Sequence, residues 1–256
     1  MTTANVGILS LVIEVESTGF EANPAGLLRL ASQLDHARIP ATWAFPAVRQ
    51  TEAMQLLLGR IPAADLALLG ERHWIGNVIS RSVLSQTLDE RISLLKELGK
   101  HPSSVCLVRA TISQHLDLLV KHKIPWIIED SAMSTNGSRK LKKQAGFRPK
   151  NSRYGLWIAE PAVSLPGHST WNRAWQSVSI RSQLKALVSQ PGFRIVRIRL
   201  AELIESPASW SQLEQLIRTA GRWRARGKLQ VESLAGLTLS LRPTRTPPMQ
   251  SILRAA

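Results

Sequence analysis

The segment VGILSLVI, residues 6–13, carries no charge and places apolar side chains at both odd and even positions. Successive side chains of a strand point to opposite faces, so this pattern requires burial on both sides at once. Its content of β-branched residues favours a strand over a short buried helix. Strands buried on both faces belong mainly to parallel sheets covered by helices, and that requirement narrows the fold before any other residue is read.

The rest of the chain supplies the helices. PAGLLRLASQLDHARI (24–39) sets Leu27, Leu28, Leu30, Leu34 and Ile39 at near-helical spacing behind Pro24, a residue suited to a first helical turn. ATWAFP (41–46) and DLALLG (65–70) read as short strands on either side of a helical TEAMQLLLGR. SVLSQTLDERISLLKELGK puts Leu84, Leu88, Ile92, Leu95 and Leu98 on one face and stops at Gly99. SSVCLV (103–108) is a strand, ISQHLDLLVKHK a helix and IPWIIED (124–130) a strand. After a basic, polar stretch over 131–153, LWIAEPAV, SIRSQLKALVSQ, FRIVRIRL and WSQLEQLIRTAGRWRARG resume as strand, helix, strand, helix, and KLQVESL (228–234) is a last short strand. Seven or eight strands joined by helical crossovers predict an α/β fold, and a (β/α) barrel in preference to an open doubly wound sheet. No linker or composition shift divides the sequence, so residues 1–242 are expected to form one domain, with 243–256 a basic, proline-containing tail.

At 256 residues and 44% hydrophobic the chain is long enough to bury one substantial core. A single cysteine, Cys106, excludes an internal disulfide framework and reads as a small buried hydrophobe. The first residues lack a basic region, Glu14 interrupts the apolar run, and no segment reaches the roughly 18 apolar residues of a membrane span. A reduced, cytoplasmic protein is therefore expected. With 33 Lys+Arg against 18 Asp+Glu the formal charge is +15, a field that attracts polyanions. Phosphate-binding P-loops, glycine-rich dinucleotide fingerprints, G-x-S-x-G elbows and paired C-x-x-C motifs are all absent from the sequence.

In a β/α barrel the chemistry sits at the C-terminal ends of the strands. Here these ends read VIEVEST, ATWAFP, LLGERHWIGN, CLVRATIS and WIIEDSA. In that order they resemble the polysaccharide deacetylases of the NodB-homology type. RIPATWAF at 38–45 matches the family's V-P-A-T-F-F-like second strand, and LVIEVES stands where a T-F-D-D-G-P-like motif closes the first. The resemblance implies a NodB-like barrel, seven-stranded in the family, with an Asp general base beside an Asp-His-His metal site. Such a ligand set fixes a divalent ion while leaving positions open for an activated water.

Residue by residue, the family pattern is only partly present. The paired acids become Glu14 with Val15, or Glu14 with Glu16, and these two glutamates are the candidate catalytic residues. The His-x-x-x-His pair is missing: around His73, position 69 is Leu and position 77 is Asn, while a match at GNVISRS puts Val78 and Ser82 in the imidazole places. Arg109 stands where the family has an arginine, followed here by Ala110, Thr111 and Ile112. No metal or other cofactor is expected. Glu14 and Glu16 are either the polar end of a strand, a ligand contact or a remnant of catalysis. His73 and Trp74 either stack on a sugar ring or rim the barrel, and Trp43 is either core or pocket floor. Arg109 either anchors an acidic ligand or pairs with Glu14 or Glu16.

Two basic clusters offer a different reading. Residues 139–153 hold seven Lys and Arg without an acid, and Arg218, Arg222 and Arg226 recur at helical spacing beside Trp223. The functional expectation is a deacetylase-like protein with a lost metal triad, binding a glycan or another anionic ligand. An active carbohydrate deacetylase with a rearranged site, or a module that binds nucleic acid through its basic surface, are the alternatives.

Overall fold

The computed structural model describes residues 6–15, 24–46, 51–70, 80–107, 115–129, 150–151, 154–165, 182, 184–189 and 192–241. Strand β1 (Gly7–Glu14) is central and almost wholly buried, as its two-sided apolar pattern requires. Helix α1 (Pro24–His36) follows, then β2 (Thr42–Phe45), α2 (Thr51–Arg60) and β3 (Asp65–Gly70). Helix α3 (Arg81–Glu97) begins at Ser80, whose hydroxyl accepts from the Val83 amide. It packs Leu84, Leu88, Ile92 and Leu95 inward. β4 (Ser104–Leu107), α4 (Leu116–Lys121) and β5 (Trp126–Ile128) complete the first half.

The second half contributes β6 (Lys150–Asn151), β7 (Trp157–Ala159), β8 (Val163–Leu165), β9 (Phe193–Arg199), α5 (Leu200–Ile204), α6 (Pro207–Ala225), β10 (Leu229–Val231) and α7 (Leu234–Leu241). Residues 184–189 are also helical. Strand order is β6-β7-β5-β4-β3-β2-β1-β9-β8, with β10 also on β1. Among the described residues every pairing is parallel except β6 with β7.

One expected strand divides in two, and its division curls the sheet. LWIAEPAV becomes β7, which pairs with β5, and β8, which pairs with β9 near the other end of the sheet. Only residues 160–162 separate them, with Pro161 breaking the ladder and Ala162 N donating to Ile195 O at 2.9 Å. Four Cα steps reach at most about 14 Å. The two sides of the sheet must therefore curl toward each other, giving an incomplete (β/α) barrel bridged on one side by a kinked chain.

The curl sorts the strand residues into two cores. Leu9, Leu11 and Ile13 of β1, and Val15 just after it, face outward onto Leu27, Leu30 and Leu34 of α1. Val12, Ala44, Ala67, Cys106, Trp126, Phe193 and Ile195 face inward. Gly7 lies so close to the helical residues 184–189 that a Cβ there would clash with the Leu187 carbonyl oxygen, so a larger residue would push that helix off the sheet.

Helix α7 stops the barrel's N-terminal end. The sequence KLQVESL reads as a strand to residue 234, but the strand ends at Val231 and Leu234 opens a helix. Its first amides need acceptors. Thr42 Oγ1 takes the Leu234 N–H at 2.9 Å, Asp65 Oδ2 takes that of Ala235 at 3.1 Å, and Thr42 Oγ1 donates to Asp65 at 2.7 Å. Thr42 and Asp65 are the first residues of β2 and β3, so the strand starts themselves cap the helix. Leu234 and Leu237 then enter the inner core, and Trp126 Nε1 donates to Thr238 Oγ1 at 2.7 Å. No helix among the described residues is long and apolar enough to cross a membrane.

Candidate functional site

At the opposite end of the barrel, the inward side chains become charged. Ser10, Val12 and Glu14 share one face of β1 by the two-residue period, as Phe193, Ile195, Arg197 and Arg199 share one face of β9. The parallel register pairs Val12 with Arg197 and Glu14 with Arg199. Glu14 thus lies directly beside one arginine and diagonal to the other, within reach of long side chains. Arg197 Nη2 is 2.5 Å from Glu14 Oε1, and Arg199 Nε is 4.0 Å from Oε2. All three residues are 2% exposed or less. Arg199 also donates to Glu202 Oε1 at 2.7 Å, a carboxylate at the edge of the cluster on α5.

The energetics explain the composition of this cluster. A lone buried carboxylate or guanidinium loses several kcal/mol of hydration, so each is retained only with a charged neighbour. Cys106 shares the inner face, and burial together with the Glu14 charge pushes its thiol well above the ordinary range, leaving it neutral rather than nucleophilic.

Of the residues singled out in sequence, Glu14 is at the barrel mouth. Trp43 is on the other side of the sheet: it is 1% exposed in the outer core between strands and helices, where it borders a cleft of about 270 Å³ with Arg38, Asp65 and Arg224. The loops bordering this cleft precede β2 and β3, so it opens at the barrel's N-terminal side. Glu14 and Trp43 are not brought together. Glu16, His73, Trp74 and Arg109 lie outside the described residues, and so does the expected pairing of Arg109 with Glu14. The tail 243–256 and the basic residues 139–149 lie outside them too.

Arg197 and Arg199 were not among the sequence candidates, although RIVRIR contained the signal. Two arginines at alternate positions of an otherwise apolar strand lie on one face, and a buried face with two guanidinium groups requires an acid on a neighbouring strand.

Solved structures share this architecture. The polysaccharide deacetylase-type protein from Mycobacterium smegmatis superposes with a TM-score of 0.68 at 14% identity, covering 94% of this chain and 92% of its own. PuuE allantoinase matches with a TM-score of 0.64 at 12% identity, over 94% and 93%. A CE4 family pseudoenzyme from Bacillus anthracis matches with a TM-score of 0.53 at 11% identity, over 90% of this chain and 65% of that one. No family model matches the sequence, and no curated protein matches it. The chain has the polysaccharide deacetylase fold, which at these identities also houses an allantoinase and a pseudoenzyme.

At Glu14 the described residues do not fit the metal centre implied by this fold. Among the described residues no group of three or more His, Cys, Asp or Glu is placed to hold an ion. Glu14, the acid that closes the first strand, has a guanidinium at 2.5 Å and another at 4.0 Å. A divalent cation would have to compete with both at short range, where the repulsion between like charges is large.

Proposed function

We propose that this chain is a non-hydrolytic, carbohydrate-binding protein built on the deacetylase fold, with an ion pair in place of the metal triad. The observation that carries the reading is the engagement of Glu14 by Arg197 and Arg199 at the C-terminal mouth of the barrel. A carboxylate held in this way serves as a structural counter-charge; a general base needs an accessible lone pair and a pKa near the working pH. The missing His-x-x-x-His spacing after β3 supports the same conclusion from the sequence. The glycan contacts are assigned to residues that follow the inner strands in the chain, His73 and Trp74 after β3 and Arg109 after β4, with Glu16 after β1.

The test combines three measurements on the purified chain: metal content, turnover of N-acetylated and O-acetylated oligosaccharides, and binding of the same oligosaccharides. Binding without turnover, unaffected by chelator, is the expected result. Stoichiometric metal, with turnover that chelation abolishes and added metal restores, overturns it in favour of an active deacetylase with a rearranged site.

A further inference from the structure

A second candidate site lies outside the barrel, in the groove between α1 and α6. It is a cleft of about 540 Å³, with Gln33 and His36 on one wall, Arg218 and Arg222 on the other, and Ile217 and Gly221 between them. Arg218 and Arg222 are exposed and one helical turn apart, about 6 Å along the axis.

Among the described residues neither arginine pairs with a carboxylate; each Nε donates at 3.4 Å to a carbonyl of its own helix, of Glu214 and of Arg218 respectively. The one acid on the groove wall, Glu214, is already engaged: its Oε1 accepts from Arg29, Gln33 and Trp210 at 2.9, 2.9 and 3.0 Å. Among the described residues the cleft therefore offers two guanidinium groups without a carboxylate partner, beside the small apolar residues Ala37 and Ala225, in a chain of charge +15.

We infer that this groove binds an acidic oligosaccharide, its carboxylate or sulfate groups on Arg218 and Arg222 and the C–H face of its rings on Ala37, Gly221 and Ala225. Guanidinium groups match such anions with paired, charge-assisted hydrogen bonds. Gly221 adds no side chain to the groove, and a Cβ there would sit 3.9 Å from Ile39 Cδ1 and 4.0 Å from the Ala37 carbonyl oxygen, so this glycine keeps α6 close to the end of α1. Nucleic acid fits less well. A groove between two helices does not receive a duplex, and among the described residues no Phe, Tyr or Trp lines it; His36 is the one ring on which a base of a single strand could stack. This site is separate from the barrel mouth and does not depend on the reading proposed for it.

The experiment is a binding titration of the full chain at low salt. The probes are an oligogalacturonate, its neutral methyl ester, a sulfated oligosaccharide of the same length and a single-stranded oligothymidylate. The uronate or the sulfated chain is expected to bind best, and which of the two is tighter identifies the anion. Arg218→Gln with Arg222→Gln should weaken that binding about tenfold. Arg60→Gln with Arg81→Gln, which removes equal charge from exposed sites elsewhere, should leave it within about twofold. Equal binding of the methyl ester, tighter binding of oligothymidylate, no binding at all, or equal losses in the two folded double variants would each overturn the inference. Barrel-mouth binding of neutral N-acetylated sugars is read separately and survives the groove variant, so the two proposals fail independently.

Discussion

Arg197 and Glu14 meet 2.5 Å apart inside the barrel, each about 1% exposed, on neighbouring parallel strands. Their positions are fixed by backbone register, and the pair in turn makes that register costly to change: a one-residue slip of β9 would move its inner-face arginines to the opposite face, among aliphatic side chains.

Removing one partner should therefore cost far more than removing both. Glu14→Gln leaves two guanidiniums without their shared carboxylate, and Arg197→Met removes the guanidinium nearest to the buried Glu14 carboxylate. Each is expected to lower the unfolding free energy by about 3–5 kcal/mol. The double variant should be well short of the sum. Urea denaturation of the three proteins gives the coupling, and additive losses would show that the pair is not an energetic unit.

Asp65 makes stability depend on pH in the direction opposite to most carboxylates. Burial raises its pKa above 3.8, and hydrogen bonds from Thr42, Ser103, Ser233 and the Ala235 amide only partly offset this. The folded state therefore holds the proton more tightly than the unfolded chain. The favourable contribution is complete below 3.8 and is lost as pH rises through the raised folded value. Asp65→Asn keeps an acceptor for the α7 amide and should flatten this part of the profile of thermal midpoint against pH.

Glu214 acts with the usual sign. Hydrogen bonds from Gln33, Arg29 and Trp210 and the Arg29 charge hold its carboxyl below 4.5. Its contribution is present above 4.5 and disappears as pH falls through the lowered folded value. It is a partly exposed tie between α1 and α6, with the Arg29 guanidinium 4.4 Å over the Trp210 ring. After allowance for solvent screening, Glu214→Ala should cost about 1 kcal/mol. The loss should shrink in high salt, and Trp210 fluorescence should report the change.

The α7 stopper can be tested from both of its contacts. Leu237→Ala opens a cavity in the inner core and should cost about 2–5 kcal/mol. Trp126→Phe removes the 2.7 Å hydrogen bond to Thr238 and should cost about 1 kcal/mol. Hydrogen exchange of the Leu234 and Ala235 amides should accelerate in both variants.

Much of the fold was legible in the sequence. DLALLG and TEAMQLLLGR occupy their expected residues as β3 and α2, and FRIVRIRL gives β9 with one residue fewer. The C-terminal segment was not: in LAGLTLSL, Leu234, Leu237 and Leu241 stand at helical spacing, but the alternation of Leu237, Leu239 and Leu241 with Thr238 and Ser240 is equally that of a strand. Its position depends on caps supplied by Thr42 and Asp65, about 170 to 190 residues earlier in the chain.

The candidate site divides in the same way. The sequence by itself determined that β1 is buried on both faces, that strands alternate with helices, and that an acid closes β1 without a histidine pair after β3. These are local properties of composition and period. Only the tertiary structure decided that Glu14 faces Arg197 and Arg199 and that Trp43 faces away from them. It also decided that LWIAEPAV serves two well-separated positions in the sheet. The physical reason is register: about 180 residues separate β1 from β9, and which side chains meet across that distance depends on how the whole sheet pairs and curls.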